Sequence, residues 1–114
     1  MIIRRTVLAA VFTLLAKGAP MDTQFATSGD GTRIAYEVAG SGPALVLLHG
    51  GGQDRQAWRK AGWTERLTAR FRVIALDIRG NGESDKPTDP AAYSIDHMCD
   101  DILIEGLQPG RERG

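Results

Sequence analysis

The alternation of apolar and polar residues predicts a strand hairpin near the start of the chain. Residues 32–39 place apolar side chains at every second position, which is typical of a strand covered on one face. The short segment 23–28 precedes them across the turn Ser-Gly-Asp-Gly at 28–31. Because this turn separates two strand-like segments, the pattern predicts an antiparallel hairpin.

Two continuous apolar runs predict strands of a different kind. Residues 44–48 read Ala-Leu-Val-Leu-Leu, and residues 73–76 read Val-Ile-Ala-Leu. Such runs are typical of strands buried on both faces of a parallel sheet. About two dozen residues join them, which is long enough for a helical crossover. The spacing predicts a right-handed βαβ unit.

The crossover carries its own helical signal. Trp63, Leu67 and Phe71 recur at four-residue spacing, which indicates one face of a helix. Gly62 is predicted to mark its start, and Trp58 is predicted to lie on the loop before it.

Residues 94–105 predict a last helix. Ser94 is a suitable N-cap, and Asp96 lies in the first turn, where a negative charge complements the helix dipole. Apolar side chains fall at one helical spacing: Ile95, Met98, Cys99 and Ile102. We therefore expect Cys99 in the core and the helix to end near Glu105. Residues 106–114 contain Gly and Pro without an apolar period, so they predict an irregular tail.

Residues 1–20 differ from the rest of the chain and are excluded from the predicted domain, residues 21–105. Arg4 and Arg5 precede an apolar stretch, and small residues follow it, as in a secretory signal peptide. The alternative is an upstream extension, with Met21 as the working start. The first interpretation predicts a secreted or periplasmic protein, and the second predicts a cytoplasmic one.

Composition excludes several classes of function. The 114 residues suggest one domain, and 14 Lys+Arg balance 14 Asp+Glu, so nothing points to nucleic acid or an acidic partner. The single Cys99 excludes an internal disulfide and a multi-cysteine metal site. No membrane span is predicted beyond the N-terminal segment.

The candidate chemistry lies where the first apolar run ends. Residues 44–48 stop at His49 and open into Gly50, Gly51 and Gly52. Open α/β sheets bind ligands at the carboxyl ends of their strands, and glycines allow a ligand to approach backbone N–H groups closely. These groups can hold a developing negative charge. A nucleotide-binding domain is a weaker interpretation, because neither G-x-G-x-x-G nor a P-loop lysine follows this strand.

Two motifs in order carry a resemblance to a known family. The first is His49-Gly50-Gly51-Gly52 after an apolar strand, with Trp58 six residues further on. The second is Asp-Ile-Arg-Gly-Asn-Gly-Glu-Ser at 77–84, which is similar to the family's D-x-R-G-x-G-x-S turn after its fourth strand. With the hairpin at 30–36, residues 22 to about 103 resemble the N-terminal portion of the α/β-hydrolase superfamily.

The resemblance implies a fold and a mechanism. The fold is the N-terminal part of an α/β-hydrolase: a β-hairpin, then a βαβ unit and one further helix, with an incomplete sheet. Gly51 and Gly52, flanked by His49 and Gly50, are the candidate oxyanion-hole donors. The full-length form would hydrolyse an ester-like or related small molecule through a nucleophile, without a metal or organic cofactor.

The chain also departs from the family, because no nucleophile elbow G-x-S-x-G occurs in it. Ser84 lacks the second glycine, and Ser41 lies in a glycine turn without the elbow spacing. His49 is predicted to be a structural hydrogen-bonder, His97 to be solvated, and Asp77 to hold its own turn. No triad can be assembled from these residues, so we expect the chain to be inactive alone.

Without the family's next strand, residues 44–48 would leave an apolar sheet edge open. Open apolar edges favour association, so we expect marginal stability or self-association. Two histories fit: a hydrolase cut short by a frameshift or early stop, or a fragment that pairs with a second chain supplying the triad. The alternative function is a non-catalytic binding or interaction module.

Overall fold

The computed structural model describes residues 22–104. The predicted leader at 1–20 and tail at 106–114 lie outside the described residues, so the domain boundaries remain predictions. The elements run in this order: β1 (Gln24–Thr27), β2 (Arg33–Ala39), β3 (Ala44–Leu48), α1 (Gln56–Lys60), α2 (Trp63–Leu67), β4 (Arg72–Leu76), a 3₁₀ helix (Pro90–Tyr93) and α3 (Ile95–Ile102).

The four strands form one mixed sheet in the order β1-β2-β4-β3. β1 and β2 are antiparallel and joined through a turn in which Asp30 Oδ1 accepts the Thr32 N–H at 3.1 Å. β4 is antiparallel to β2 and parallel to β3. The predicted hairpin and the parallel strand pair of the βαβ unit are therefore confirmed.

The core lies on both faces of the sheet, because β4 is central and apolar on both sides. One buried cluster comprises Ile34, Tyr36, Ile74 and Leu76. The opposite face buries Leu47, Val73 and Ala75 beneath Trp58, Leu67 and Phe71. The continuous apolar run of β4 follows from this double burial.

The prediction of a single helix between β3 and β4 is wrong, because two short helices occupy this segment. Trp58 lies in α1 rather than on a loop. Gly62 takes φ +88° as the N-cap of α2, and this left-handed residue bends the chain between the helices. Because α2 ends at Leu67, the predicted face through Phe71 does not form as one helix, and Trp63 is 52% exposed.

The prediction that Cys99 lies in the core is also wrong, because Cys99 is exposed. Ser94 caps α3 as predicted by accepting the His97 N–H at 3.2 Å, but the helix ends at Ile102. Its buried residue is Asp101, which pairs with Arg79. Of the predicted apolar stripe, Met98 and Ile102 are half-buried, whereas Ile95 and Cys99 are exposed. The buried ion pair therefore contributes to which face of α3 is covered.

β3 is the edge strand of the described sheet rather than a strand buried on both faces. Within residues 22–104 it pairs with β4 alone. Only Leu47 of its five residues is buried, and Leu48 is 41% exposed. In the same residues, no helix is long and apolar enough to cross a membrane.

Candidate functional site

The candidate site is formed by the two loops that follow the carboxyl ends of β3 and β4. β3 and β4 are parallel neighbours, so their carboxyl ends lie side by side. The loop after β3 contains residues 49–55, and the loop after β4 contains residues 77–85. This is the position at which open α/β sheets bind ligands.

The glycine turn presents backbone donors at the end of β3. The Gly50 N–H donates to Gln53 Oε1 at 3.1 Å, and the Gln53 N–H donates to the Gly50 carbonyl at 3.2 Å. Gly52 takes φ +74°, a conformation that favours glycine. Gly51 and Gly52 are exposed, and within residues 22–104 these bonds leave their N–H groups unpaired. The turn therefore offers two donors to a ligand.

His49 joins the two loops. It is buried, and its Nε2 accepts the Ile78 N–H at 3.0 Å. Its Nδ1 lies 2.7 Å from the Gly50 carbonyl, which can only accept. We therefore assign the proton to Nδ1. These bonds are structural, as the sequence predicted.

Arg55 anchors the loop after β3 through both its backbone and its side chain. Its backbone N–H donates to Asp77 Oδ1 at 2.6 Å, and its guanidinium donates to Asp77, to Glu37 Oε1 at 3.3 Å and to Glu83 Oε1 at 2.7 Å. Arg55, Asp77 and Glu37 are all under 5% exposed, and Arg59 also donates to Glu37. The glycine turn is thus connected to both β2 and the loop after β4.

Arg55 and its carboxylate partners stabilise each other's charged forms. Burial alone lowers the pKa of Arg55, but the hydrogen bond to Glu83 and the charges of Asp77 and Glu37 outweigh it, and the pKa rises. The same bond from Arg55 lowers the pKa of Glu83. Both groups are therefore held in their charged forms.

Asp77 holds its own turn as predicted, because it accepts the Glu83 N–H at 2.8 Å in addition to its bonds with Arg55. Gly82 takes φ +54°, and a Cβ there would lie 2.3 Å from Asp77 Oδ2. A side chain at 82 would displace the carboxylate, which explains why the turn has glycine at this position.

Neither serine considered from the sequence is placed as a nucleophile. Ser84 is 2% exposed, donates to the Asp77 carbonyl at 2.6 Å and accepts the Ala35 N–H at 2.8 Å. Its hydroxyl is occupied in joining the loop to β2. Ser41 precedes β3 and so lies at the opposite end of this strand from the glycine turn.

Arg79 forms a second buried cluster that joins the hairpin to α3. Its guanidinium donates to Asp101 at 2.8 and 2.6 Å, to Asp30 at 2.8 and 3.2 Å, and to the Ala92 carbonyl at 2.7 Å. These five bonds use all five N–H donors of the side chain. The hydrogen bonds that Arg79 donates to Asp101 and Asp30 raise the pKa of Arg79. His97 is 37% exposed, with Nδ1 3.6 Å from Asp30.

The sequence analysis missed both arginine clusters. Arg79 lies inside the D-x-R-G motif, but its carboxylate partners are 49 and 22 residues away. Arg55 pairs with residues 18 to 28 positions away. The one sequence feature that could have indicated these clusters is the high density of Asp and Arg in loops next to buried strands. Among the described residues, no group of three His, Cys, Asp or Glu side chains is arranged to hold a metal ion.

We expect stability to fall in acid. Arg79 holds the pKa of Asp30 well below its ordinary 3.8, and Arg55 lowers the pKa of Glu83 from its ordinary 4.5. The unfolded chain therefore binds these protons first as the pH falls. The stabilisation is complete above the ordinary values and is lost as the pH falls through the folded values.

Urea denaturation between about pH 7 and pH 3 measures this loss. The free energy of unfolding should decline below about pH 4.5, and Asp30→Asn should reduce the slope of that decline. A stability that stays constant across this range would contradict the assignment.

Comparison with known proteins places these features in a family context. A family model described as alpha/beta hydrolase fold matches residues 43–109. An uncharacterized protein of Mycobacterium bovis is 47% identical over 77 residues, which are 68% of this chain and 21% of that protein. Bifunctional epoxide hydrolase 2 of Sus scrofa is 37% identical over 73 residues, which are 64% of this chain and 13% of that protein.

Solved structures resemble the same region. An epoxide hydrolase of the alpha/beta hydrolase superfamily, from metagenomes of hot environments, has a TM-score of 0.67 and 30% identity. The match covers 75% of this chain and 28% of that one. The chain thus spans about a fifth or less of the length of these curated relatives.

Proposed function

The chain belongs to the α/β-hydrolase family, and from this membership we propose that it forms the oxyanion-binding part of a hydrolase active site. Gly51 and Gly52 are the donors in this proposal, with His49 and Gly50 shaping the turn. The nucleophile, the base and the acid come from polypeptide outside residues 1–114. The substrate is an ester-like or related small molecule.

The observation that carries the proposal is the pair of unpaired N–H groups at the carboxyl end of β3. Both glycines are exposed, and both belong to a turn held from two sides by His49 and Arg55. Donors that are fixed before the reaction stabilise a developing oxyanion without reorganisation. A flexible glycine loop would lack this advantage.

The substrate class follows from the names of relatives rather than from the turn itself. Two of the relatives described above are epoxide hydrolases. Cleaving an ester places negative charge on its carbonyl oxygen, and a carboxylate nucleophile that opens an epoxide forms an ester that water must then cleave, so the same N–H donors serve either substrate at the ester stage. We therefore propose an ester or an epoxide as the reacting group, with water completing the hydrolysis.

The chain alone is proposed to be inactive, because no described side chain combines a nucleophile with a base. Ser84 is buried with its hydroxyl bonded at both ends. Cys99 is exposed on α3, but His97 is two positions away on the same helix, where side chains do not face each other. An unactivated thiol or hydroxyl is a weak nucleophile.

Translation of the DNA downstream of codon 114 in all three frames tests the proposal. The expected finding is an apolar strand followed by G-x-S-x-G, or the same turn with Asp or Cys as nucleophile, within a few dozen codons. That finding would identify the part of the hydrolase that supplies the nucleophile. If no frame contains such a turn, the proposal fails and a non-catalytic binding module becomes the better interpretation.

A further inference from the structure

We propose that Asn81 is a modification site, at which the side-chain amide is lost by deamidation when the turn after β4 opens. Asparagine is among the side chains that degrade chemically in proteins, and it reacts fastest when glycine follows it, because glycine adds no side chain that hinders ring closure. Asn81 is the only asparagine of the 114 residues, and Gly82 follows it. The inference is independent of the proposed catalytic role.

The reaction takes place within one chain, and water is its only co-reactant. The Gly82 backbone nitrogen loses its proton to hydroxide and attacks Asn81 Cγ. A bond forms between these atoms, the Cγ–Nδ2 bond breaks, and Nδ2 leaves as ammonia after taking a proton from water. Water then opens the cyclic imide. Breaking its bond from nitrogen to Cγ gives aspartate, and breaking its bond from nitrogen to the backbone carbonyl carbon of residue 81 gives isoaspartate.

The folded turn holds the Asn81 side chain away from this reaction. Its Nδ2 donates to the carbonyls of Ile78 at 3.1 Å and Arg79 at 3.2 Å. Both acceptors precede Asn81 in the chain, whereas the attacking nitrogen belongs to the residue that follows it. The side chain can therefore turn its Cγ toward Gly82 only after these two bonds are broken.

The backbone of the turn opposes the reaction as well. The Asn81 N–H donates to the Ile78 carbonyl at 2.9 Å, and the Ser84 N–H donates to the Asn81 carbonyl at 3.1 Å, so the chain is fixed on both sides of the reacting bond. The space that a Cβ would take at Gly82 is occupied by the Asp77 carboxylate. A carboxylate this close disfavours a second negative charge on the Gly82 nitrogen. We therefore expect deamidation from the opened turn rather than from the closed one.

The turn is accessible to water and is suited to local opening. Gly82 is exposed and Asn81 is half-buried, and residues 77–89 contain no helix or strand. Local opening of such a loop requires less free energy than unfolding of the whole domain. Water and hydroxide can thus reach the reacting atoms as soon as the side chain is released.

Conversion is expected to damage the contacts that join this turn to the glycine turn. The new carboxylate cannot donate to the carbonyls of Ile78 and Arg79. Isoaspartate also lengthens the backbone of the turn by one methylene group, and the Glu83 N–H in the same turn donates to Asp77. Because Asp77 also accepts the Arg55 N–H, the loop after β3 should loosen in the converted chain.

Incubation of the 114-residue chain at mildly alkaline pH, followed by peptide mass spectrometry, tests the proposal. The folded chain should convert at least about tenfold more slowly than the same chain unfolded in guanidinium chloride. Ser84→Ala removes the hydroxyl that joins the turn to β2 and should speed conversion several-fold. Ser41→Ala makes the same change in an exposed turn before β3 and should leave the rate unchanged. Circular dichroism verifies that each variant is folded.

Several results of this experiment would overturn the proposal. Conversion in neither the folded nor the unfolded chain would mean that Asn81 is not a modification site. Equal rates in the two states, or an unchanged rate in Ser84→Ala, would mean that the turn does not hold the side chain. Equal acceleration by Val73→Ala, which removes buried contacts on the opposite face of the sheet, would place the reaction in the globally unfolded chain. The comparison of folded and unfolded chain needs no variant.

Amide hydrogen exchange of the converted chain tests the link between the two turns. Anion exchange separates this chain, because it carries one additional negative charge. Exchange of the Arg55 amide should be several-fold faster in the converted fraction than in the unconverted one. Asn81→Gln is the matched control, since glutamine keeps the amide donors and closes the corresponding larger ring more slowly; incubation should leave exchange at Arg55 unchanged in it. Equal exchange at Arg55 in the two fractions would contradict the proposed link.

Discussion

Replacing Arg79 with methionine should lower the free energy of unfolding by about 3–5 kcal/mol, which is the usual cost of removing one partner of a buried ion pair. Arg79 and Asp101 are 0% and 3% exposed at their side chains. The variant leaves Asp101 charged in a site that water does not reach. Because small domains are stable by only about 5–15 kcal/mol, this loss is a large fraction of the total stability. Urea denaturation followed by circular dichroism measures the change.

Two further variants separate charge from packing. Arg66→Met changes an exposed arginine in α2 and should alter stability by no more than about 0.5 kcal/mol. Adding Asp101→Leu to Arg79→Met should restore part of the loss, because it removes the uncompensated carboxylate. If Arg79→Met were no more destabilising than Arg66→Met, the buried cluster would not hold α3 in place.

Replacing Arg55 with methionine should cost about 3 kcal/mol, because Asp77 and Glu37 are 0% and 4% exposed and lose a shared cation. The loss is expected to be smaller than at Arg79, since Arg59 still donates to Glu37 and the Arg55 backbone N–H still reaches Asp77. The loop after β3 should also loosen. Amide hydrogen exchange across residues 49–57 should become faster than in the unmodified chain.

Two controls identify the role of Arg55. Arg55→Lys keeps the charge but cannot reproduce contacts to three carboxylates, so its effect should be intermediate. Arg59→Met removes only the contact with Glu37 and should leave exchange in the glycine turn unchanged. Equal effects of Arg59→Met and Arg55→Met on that exchange would contradict the role given to Arg55.

The strands could be predicted from sequence because the spacing of apolar residues along each strand follows the faces that are buried. The apolar run of β4 and the alternation in β2 each reflect the surfaces that cover those strands. The turn at Asp77 could also be predicted, since the Asp77 carboxylate accepts the N–H of Glu83, a residue only six positions away in the sequence. Features formed by residues that are near each other in the sequence can be predicted from the local pattern of apolar and polar residues.

The remaining features depend on contacts between distant residues. Arginine side chains are usually exposed, so the sequence alone does not indicate that Arg55 and Arg79 are buried. Only the three-dimensional arrangement brings carboxylates to them. Cys99 has an apolar helical spacing, but the bond between Asp101 and Arg79 orients α3 differently. The oxyanion role of Gly51 and Gly52 remains a prediction, because no contact within the described residues tests it.

Hydrolysis by the purified 114-residue chain shows whether residues 1–114 are active on their own. An activated ester and an epoxide are supplied in turn, and product is compared with buffer and with Gly51→Pro, which lacks one proposed donor. No turnover above buffer is expected, because the described residues place no activated nucleophile beside the proposed donors Gly51 and Gly52. Turnover that is abolished by changing a residue within 1–114 would contradict it.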